Sequence, residues 1–287
     1  MKFLKLQLVM ICFFYVSSNL YANCKVSNKH SKVVVAGGSL TEIIYLLNLE
    51  NNLVGVDVTS KFPESVKKLP SIGYVRRLAS EGVLSLKPEL IIAEEDVGPP
   101  AVVNQIGKTS IDLRIIEDKH TFGGIKEKIQ CISNIFGLEN EKNQVVYNAI
   151  SKKIQLLQDF KAINKKKSNK FLIILMMRGT SPVVAGANTS GDGFLKSLGL
   201  QNSMSEVDGW KPVSKEEIIL ADPEYIIVTD RAFKSFSSKE QFFLKTGTNL
   251  TRAGKENNLI VKDGMALLGF GPRTLDAAIS ISKFLKE

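Results

Sequence analysis

The chain has 287 residues, 44% of them hydrophobic, and its 38 lysines and arginines exceed 29 aspartates and glutamates by nine charges. That length suffices for two compact lobes of ordinary domain size. The basic excess is moderate and partly sits in solvated runs such as Lys165, Lys166 and Lys167, which argues against nucleic-acid binding while suiting an anionic small ligand.

The N-terminus carries Lys2 and Lys5, an apolar run over residues 8–16, then Ser17, Ser18, Asn19, Leu20, Tyr21 and Ala22. This is the outline of a secretory signal peptide, residues 1–22, with cleavage expected after Ala22. The apolar run is far short of the ~20 residues a membrane span needs. Cleavage removes two lysines and no acids, leaving 36 basic against 29 acidic residues, a net charge of about +7. Cys24 invites a lipoprotein reading, but Tyr21, Ala22 and Asn23 lack the small residue expected immediately before a lipidated cysteine. A soluble periplasmic protein is therefore expected. Cys24 and Cys131 remain after processing. Export permits a disulfide, while Cys24 in a mobile terminus and Cys131 in a helix equally suit two free thiols.

Val33, Val34, Val35 and Ala36 read as a buried strand running into Gly37, Gly38 and Ser39, with a helix over residues 42–49. A second short strand follows at Gly55, Val56 and Asp57, then a helical turn over 63–69 and a loop over 70–77. Residues 90–93 form the next strand and 94–100 a loop that leaves the sheet. Another strand and helix follow at 111–116 and 125–136. From 139 to 163 there is neither glycine nor proline, and Val145, Val146, Ala149, Ile150, Ile154, Leu157 and Phe160 recur with helical period. At ~1.5 Å per residue this helix is roughly 37 Å long, enough to bridge two lobes. The strand and helix pattern restarts after it, with strands at 171–176 and 259–261, helices at 193–200 and after Gly271, Pro272 and Arg273. Strands alternating with helices predict an α/β fold with mainly parallel sheets. The expected organisation is a lobe over residues 23–138, a linking helix over 139–166 and a second lobe over 167–287.

A repeat supports the two lobes. Glu81, Pro88, Glu89, Ile91, Ile92 and Ala93 recur as Glu216, Pro223, Glu224, Ile226, Ile227 and Val228, each pair offset by 135 residues. Solenoid periods run at roughly 20–50 residues, so an offset this long indicates a unit used twice. Two lobes make a cleft, where small ligands usually bind.

The chemistry-bearing signals are sparse. Gly37-Gly38-Ser39 ahead of a helix can cradle an anion or simply form a tight turn, and no nucleotide-binding glycine motif accompanies it. The mature chain has two histidines, His30 and His120, too few for a three-histidine metal site. No hydrolase nucleophile elbow or zinc-protease motif is present. Tyr74 stands out, in a loop with Arg76 and Arg77 after it. A phenolate is a hard ligand suited to ferric iron, and a neighbouring guanidinium favours its charged form.

Gly37-Gly38-Ser39 with Thr41-Glu42-Ile43, Gly73-Tyr74-Val75-Arg76, Ser80-Glu81-Gly82, Gly98-Pro99-Pro100-Ala101, Val184-Ala185-Gly186 and Gly269-Phe270-Gly271-Pro272-Arg273-Thr274 together resemble the periplasmic haem-binding proteins of bacterial haem ABC importers. The resemblance implies two Rossmann-like lobes joined by a single long helix, with limited hinge motion. It implies haem as cargo, Tyr74 as the axial iron ligand and Arg76 at its oxygen. It also implies Glu81 and Glu216 as the lobe-top acids that engage arginines of a permease dimer with its ATPase, downstream of an outer-membrane haem receptor. Where some relatives supply a histidine, this chain has Met176, Met177, Arg178 and Gly179, so five-coordinate haem is expected, with Arg178 contacting a propionate or Met177 packing near the iron. Arg76, Arg77, Arg178, Lys211 and Arg273 are candidate propionate partners. Trp210 is a candidate for the porphyrin face and equally for the core. The expected protein is a monomeric carrier without catalysis. Alternatives are a ferric-siderophore or cobalamin carrier of the same architecture, or a periplasmic enzyme on a two-lobed scaffold.

Overall fold

The computed structural model describes residues 24–138, 140–164 and 169–285. The leader with its cleavage point, Glu139 and Lys165 to Lys167 lie outside the described residues. Lobe 1 contains β1 (Val33–Ala36), α1 (Gly38–Leu46), β2 (Leu53–Val56), α2 (Ser80–Leu84), β3 (Leu90–Glu94), α3 (Pro100–Gly107), β4 (Asp112–Ile116) and α4 (Phe122–Ile135). Its sheet has the order β2-β1-β3-β4 and is parallel throughout. A central parallel strand is covered on both faces and has to be apolar on both. β1 meets that demand with four wholly buried residues.

α5 (Asn140–Asn164) leads to lobe 2, which contains β5 (Lys170–Arg178), β6 (Ser181–Ala185), α6 (Ser190–Leu198), β7 (Gln201–Asn202), β8 (Trp210–Pro212), α7 (Lys215–Ala221) and β9 (Tyr225–Thr229). α8 (Asp230–Phe233), α9 (Lys239–Thr246), α10 (Arg252–Lys255), β10 (Leu259–Lys262), α11 (Gly264–Leu268) and α12 (Pro272–Phe284) complete it. The sheet order is β10-β9-β5-β6-β8, with β7 beside β5. β10, β9 and β5 run parallel, whereas β6 and β8 are antiparallel. The fold is α/β with two lobes, one sheet parallel and one mixed.

Laying β5 on β1 aligns β6-β5-β9-β10 with β2-β1-β3-β4. β3 and β9, the strands with the repeated sequence, then occupy equivalent places, each preceded by a short helix with Glu81 or Glu216 in its first turn. The antiparallel β6 and β8 escape a sequence reading because they are short and each contains a proline, which suits hairpins and sheet edges rather than central strands. The stretch read as a loop leaving the sheet enters α3 at Pro100, where the missing N–H of proline costs nothing.

A smaller apolar cluster is confined to each lobe, and the largest one spans both. It joins Val33, Leu40 and Ile125 of lobe 1, Ile150, Leu157 and Phe160 of α5, and Phe171, Phe194 and Leu275 of lobe 2. α5 packs on α4 of one lobe and on α6 and α12 of the other, and Lys153 on it pairs with Asp276 at 2.5 Å. A large apolar interface of this kind restrains relative motion of lobes.

The N-terminal segment corrects the expectation of a mobile tail. Cys24 and Cys131 form a disulfide with a Cα separation of 4.9 Å, within the range a bridge tolerates. The Ser27 N–H donates to the Ile135 carbonyl at 2.8 Å, and its hydroxyl to Asp112 at 2.7 Å. His30 lies 5.1 Å from the Phe136 ring. The Cys24 sulfur is bonded to Cys131 in this structure.

Candidate functional site

The two glycine-rich segments meet at the lobe junction. A methyl group at Gly38 would come within 2.8 Å of the Thr59 carbonyl and 2.7 Å of the Met265 methyl, and one at Gly271 within 3.2 Å of the Ser39 Cα. Glycine at both places lets α1 of lobe 1 approach α11 and α12 of lobe 2. The start of α1 is buried from Gly38 to Ile44, so the anion-cradle possibility gives way to the tight-turn one. Arg273 clamps the same junction. Its Nε and Nη2 donate to Glu42 Oε1 at 2.9 and 2.7 Å, its Nη1 lies 3.1 Å from Asp263 Oδ1, and its guanidinium covers the Phe62 ring at 4.4 Å. Burial raises the Glu42 carboxyl above its ordinary range, with the Arg273 contacts opposing.

Above this junction the loops at the carboxyl ends of the lobe 1 strands gather. Asp57, buried just after β2, accepts from Gly37 N–H, Thr59 N–H and the Thr59 and Ser60 hydroxyls at 2.9–3.1 Å. This fixes loop 57–63 against α1. The Val58 N–H then donates to the Gly73 carbonyl at 2.9 Å, placing Tyr74 beside that loop. Tyr74 precedes a single tight turn, Val75–Arg77, whose Val75 is buried under the lobe. Among the described residues of lobe 1 the exposed large apolar side chains are Val26, Val58, Phe62 and Tyr74. Three of these four stand on the two loops, which makes this edge an apolar rim. Neither Asp57 nor Phe62 was singled out from sequence. The available signal was their position, directly after a strand, where ligand-binding loops of α/β sheets lie.

Behind Tyr74 the end of β3 supplies acids. The Arg76 Nε donates to Asp96 Oδ2 at 2.6 Å. Burial would lower the Arg76 guanidinium, but the Asp96 hydrogen bond and the nearby charges of Asp96, Tyr74 and Glu94 raise it. Glu94 is half-buried; the Ser39 hydroxyl donates to it at 2.7 Å, and Lys128 reaches Ser39 at 3.3 Å and Asp118 at 2.8 Å. Loss of hydration pushes Glu94 up to about 7, against the opposing charge of Lys128 and the Ser39 hydrogen bond.

Lobe 2 contributes less. Met177 and Arg178 end β5 at the turn into β6, half-buried and exposed respectively. Lys211 is exposed on β8, opposite Val184. Trp210 pairs with Ala185 further from that turn, and its indole lies where a methyl on Gly191 would sit 3.1 Å away, packed against the core. The indole is half-buried, with one part on the core and the rest open. Arg77 is exposed beside Arg76, and Glu81 and Glu216 are exposed on α2 and α7. Among the described residues no group of three or more histidine, cysteine, aspartate or glutamate side chains is placed to hold a bare metal ion. No described helix is long and apolar enough to cross a membrane.

Comparison with known proteins bears on the family and the fold. Residues 33–264 match a family model described as periplasmic binding protein. The crystal structure of the periplasmic haem-binding protein HutB of Vibrio cholerae is 31% identical in sequence with a TM-score of 0.78, covering 90% of this chain and 100% of that one. An uncharacterised ABC transporter substrate-binding lipoprotein of Bacillus subtilis, YvrC, is 24% identical over 90% of this chain and 81% of its own length. A vitamin B12-binding protein of Pectobacterium atrosepticum is 24% identical over 69% of this chain and 71% of its own length.

Proposed function

The chain belongs to the periplasmic binding protein family, and we propose that it captures haem in the cleft between its lobes and delivers it to an inner-membrane ABC importer. The observation that carries the ligand is the apolar rim of Val58 and Phe62 around a solvent-facing phenol on a fixed loop. A porphyrin ring needs an apolar surface, and ferric iron needs a hard anionic oxygen. Tyr74 is the proposed iron ligand from lobe 1, with Arg76 stabilising its phenolate. Arg77, Arg178 and Lys211 are exposed cations for the propionates, and Met177 packs near the iron. Arg273, already held by Glu42 and Asp263, contributes through the shape of the cleft floor. The similarity to a haem-binding protein at 31% identity, against 24% for a vitamin B12-binding one, supports the same ligand.

The protein acts by binding and handing over, not by catalysis. It works as a monomer in the periplasm after loss of the leader, free of a lipid at Cys24, and receives haem that an outer-membrane receptor has admitted. Glu81 and Glu216, on equivalent helices of the two lobes, contact arginines on the two halves of the permease, which works with its ATPase. Equivalent acids on pseudo-symmetric lobes suit a two-fold partner.

The test is a visible absorption titration of residues 23–287 with ferric haem beside Tyr74→Ala. A saturable ferric–tyrosinate spectrum, lost or altered in the variant, is the expected result. Absence of saturable binding would turn the ligand to a siderophore or cobalamin.

A further inference from the structure

We infer that Asp96 is a positioning residue for the ligand site: it holds the Arg76 guanidinium beside Tyr74 and so steadies the iron-bound phenolate. This rests on the haem reading above. The geometry is built from the backbone outward. Leu78 N–H donates to the Gly98 carbonyl at 2.8 Å, and Gly98 N–H donates to the Val75 carbonyl at 3.0 Å. These two bonds zip the Tyr74 turn to the loop leaving β3. Val97 N–H closes that loop onto the Glu94 carbonyl at 3.0 Å, so Asp96 stands at a fixed place across from Arg76. Both Nε and Nη2 of Arg76 approach the same Asp96 oxygen at 2.6 Å.

An arginine side chain has several rotatable bonds, and the Arg76 head is 62% exposed. Left alone it would sample solvent and spend little time beside a phenolate. The pair is too exposed to matter much to the stability of the fold. Its consequence is orientational: Asp96 engages Nε and Nη2 of a side chain two residues from Tyr74 and leaves Nη1 for the phenolate. Partners one step removed from a metal commonly change affinity by 10–100-fold when lost.

The experiment measures haem dissociation to an apo-globin acceptor, with the ferric–tyrosinate band as the spectral signature, for wild type, Arg76→Ala, Asp96→Asn, the double variant and Asp96→Glu. Arg76→Ala is expected to speed dissociation about tenfold and Asp96→Asn by a large part of that. The double variant should match Arg76→Ala, because Asp96 acts only through Arg76, and Asp96→Glu should recover most of the loss. Thermal unfolding of Asp96→Asn should stay at the wild-type midpoint. A wild type with the tyrosinate band and an Asp96→Asn rate equal to it would overturn the positioning role, as would additive effects in the double variant. A wild type with no tyrosinate band would overturn the haem reading and, with it, this role.

Discussion

Lobe 1 and lobe 2 share a strand order, yet where lobe 1 places the parallel strand β2, lobe 2 places the antiparallel β6 and β8. On the proposed haem reading, the difference bears on where the ligand site lies. A parallel neighbour forces the chain to cross back over the sheet, and here the crossings leave loop 57–63 and the Tyr74 turn at the carboxyl edge. An antiparallel neighbour needs only a tight turn, so the β5–β6 connection of lobe 2 offers only Met177 and Arg178 at its tip. Among the described residues buried charged side chains divide in the same way, with Glu42, Asp57 and Lys128 in lobe 1 against Asp192 in lobe 2. Lobe 1 carries the Asp57 hydrogen bonds, the Glu94–Ser39–Lys128–Asp118 network and the disulfide. On the proposed haem reading, lobe 1 supplies the iron ligand and lobe 2 the facing wall. The continuous core through α5 keeps the two in register.

The sharpest way to break this contrast is to remove the staple from lobe 1. The disulfide closes a loop of 107 residues, so its replacement by serines is expected to cost about 4–5 kcal/mol through the entropy of the unfolded chain. Denaturant unfolding should still show one transition, because the core is shared. A separate early transition, with amide protection lost only in β1 to α4, would mean that the lobes unfold independently.

Next in size is Arg273→Ala at the junction. It leaves Glu42 buried without its cation, a loss of about 3 kcal/mol, of which Glu42→Gln in the same chain should restore part. Equal stability of Arg273→Ala and wild type would show that the clamp does not hold the lobes. Glu94 gives a pH signature confined to lobe 1. Its folded value of about 7 exceeds the ordinary 4.5, so the folded protein binds that proton more tightly than the unfolded one. Its contribution is therefore full below about 4.5, falls away as pH rises to 7 by roughly 2–3 kcal/mol, and is flat above. Glu94→Gln should remove that slope from stability measured across pH. The smallest effect on stability is expected from Asp96→Asn, at most about half a kcal/mol for so exposed a pair, in contrast with its expected effect on haem release.

Much of this architecture was legible in the chain. β1, β3, β5 and β9 announce themselves as short apolar runs between glycine or proline breaks, and α5 as 25 residues of helical period. The repeat at an offset of 135 pointed to two lobes, and Tyr74 with Arg76 to a site. What was missed has a common cause. β6 and β8 are too short to show a period, and Asp57, Phe62 and Asp96 look like ordinary loop residues until their surroundings are known.

The sequence by itself determined which segments become strands and helices and where turns interrupt them, since those preferences come from residues within a turn or two of one another. Only the tertiary structure decided that Cys24 meets Cys131, that Arg273 reaches Glu42 across 231 residues, and that Asp96 faces Arg76. Such meetings depend on the order in which strands are laid side by side, and each follows from the packing of a whole sheet rather than from any short stretch of chain.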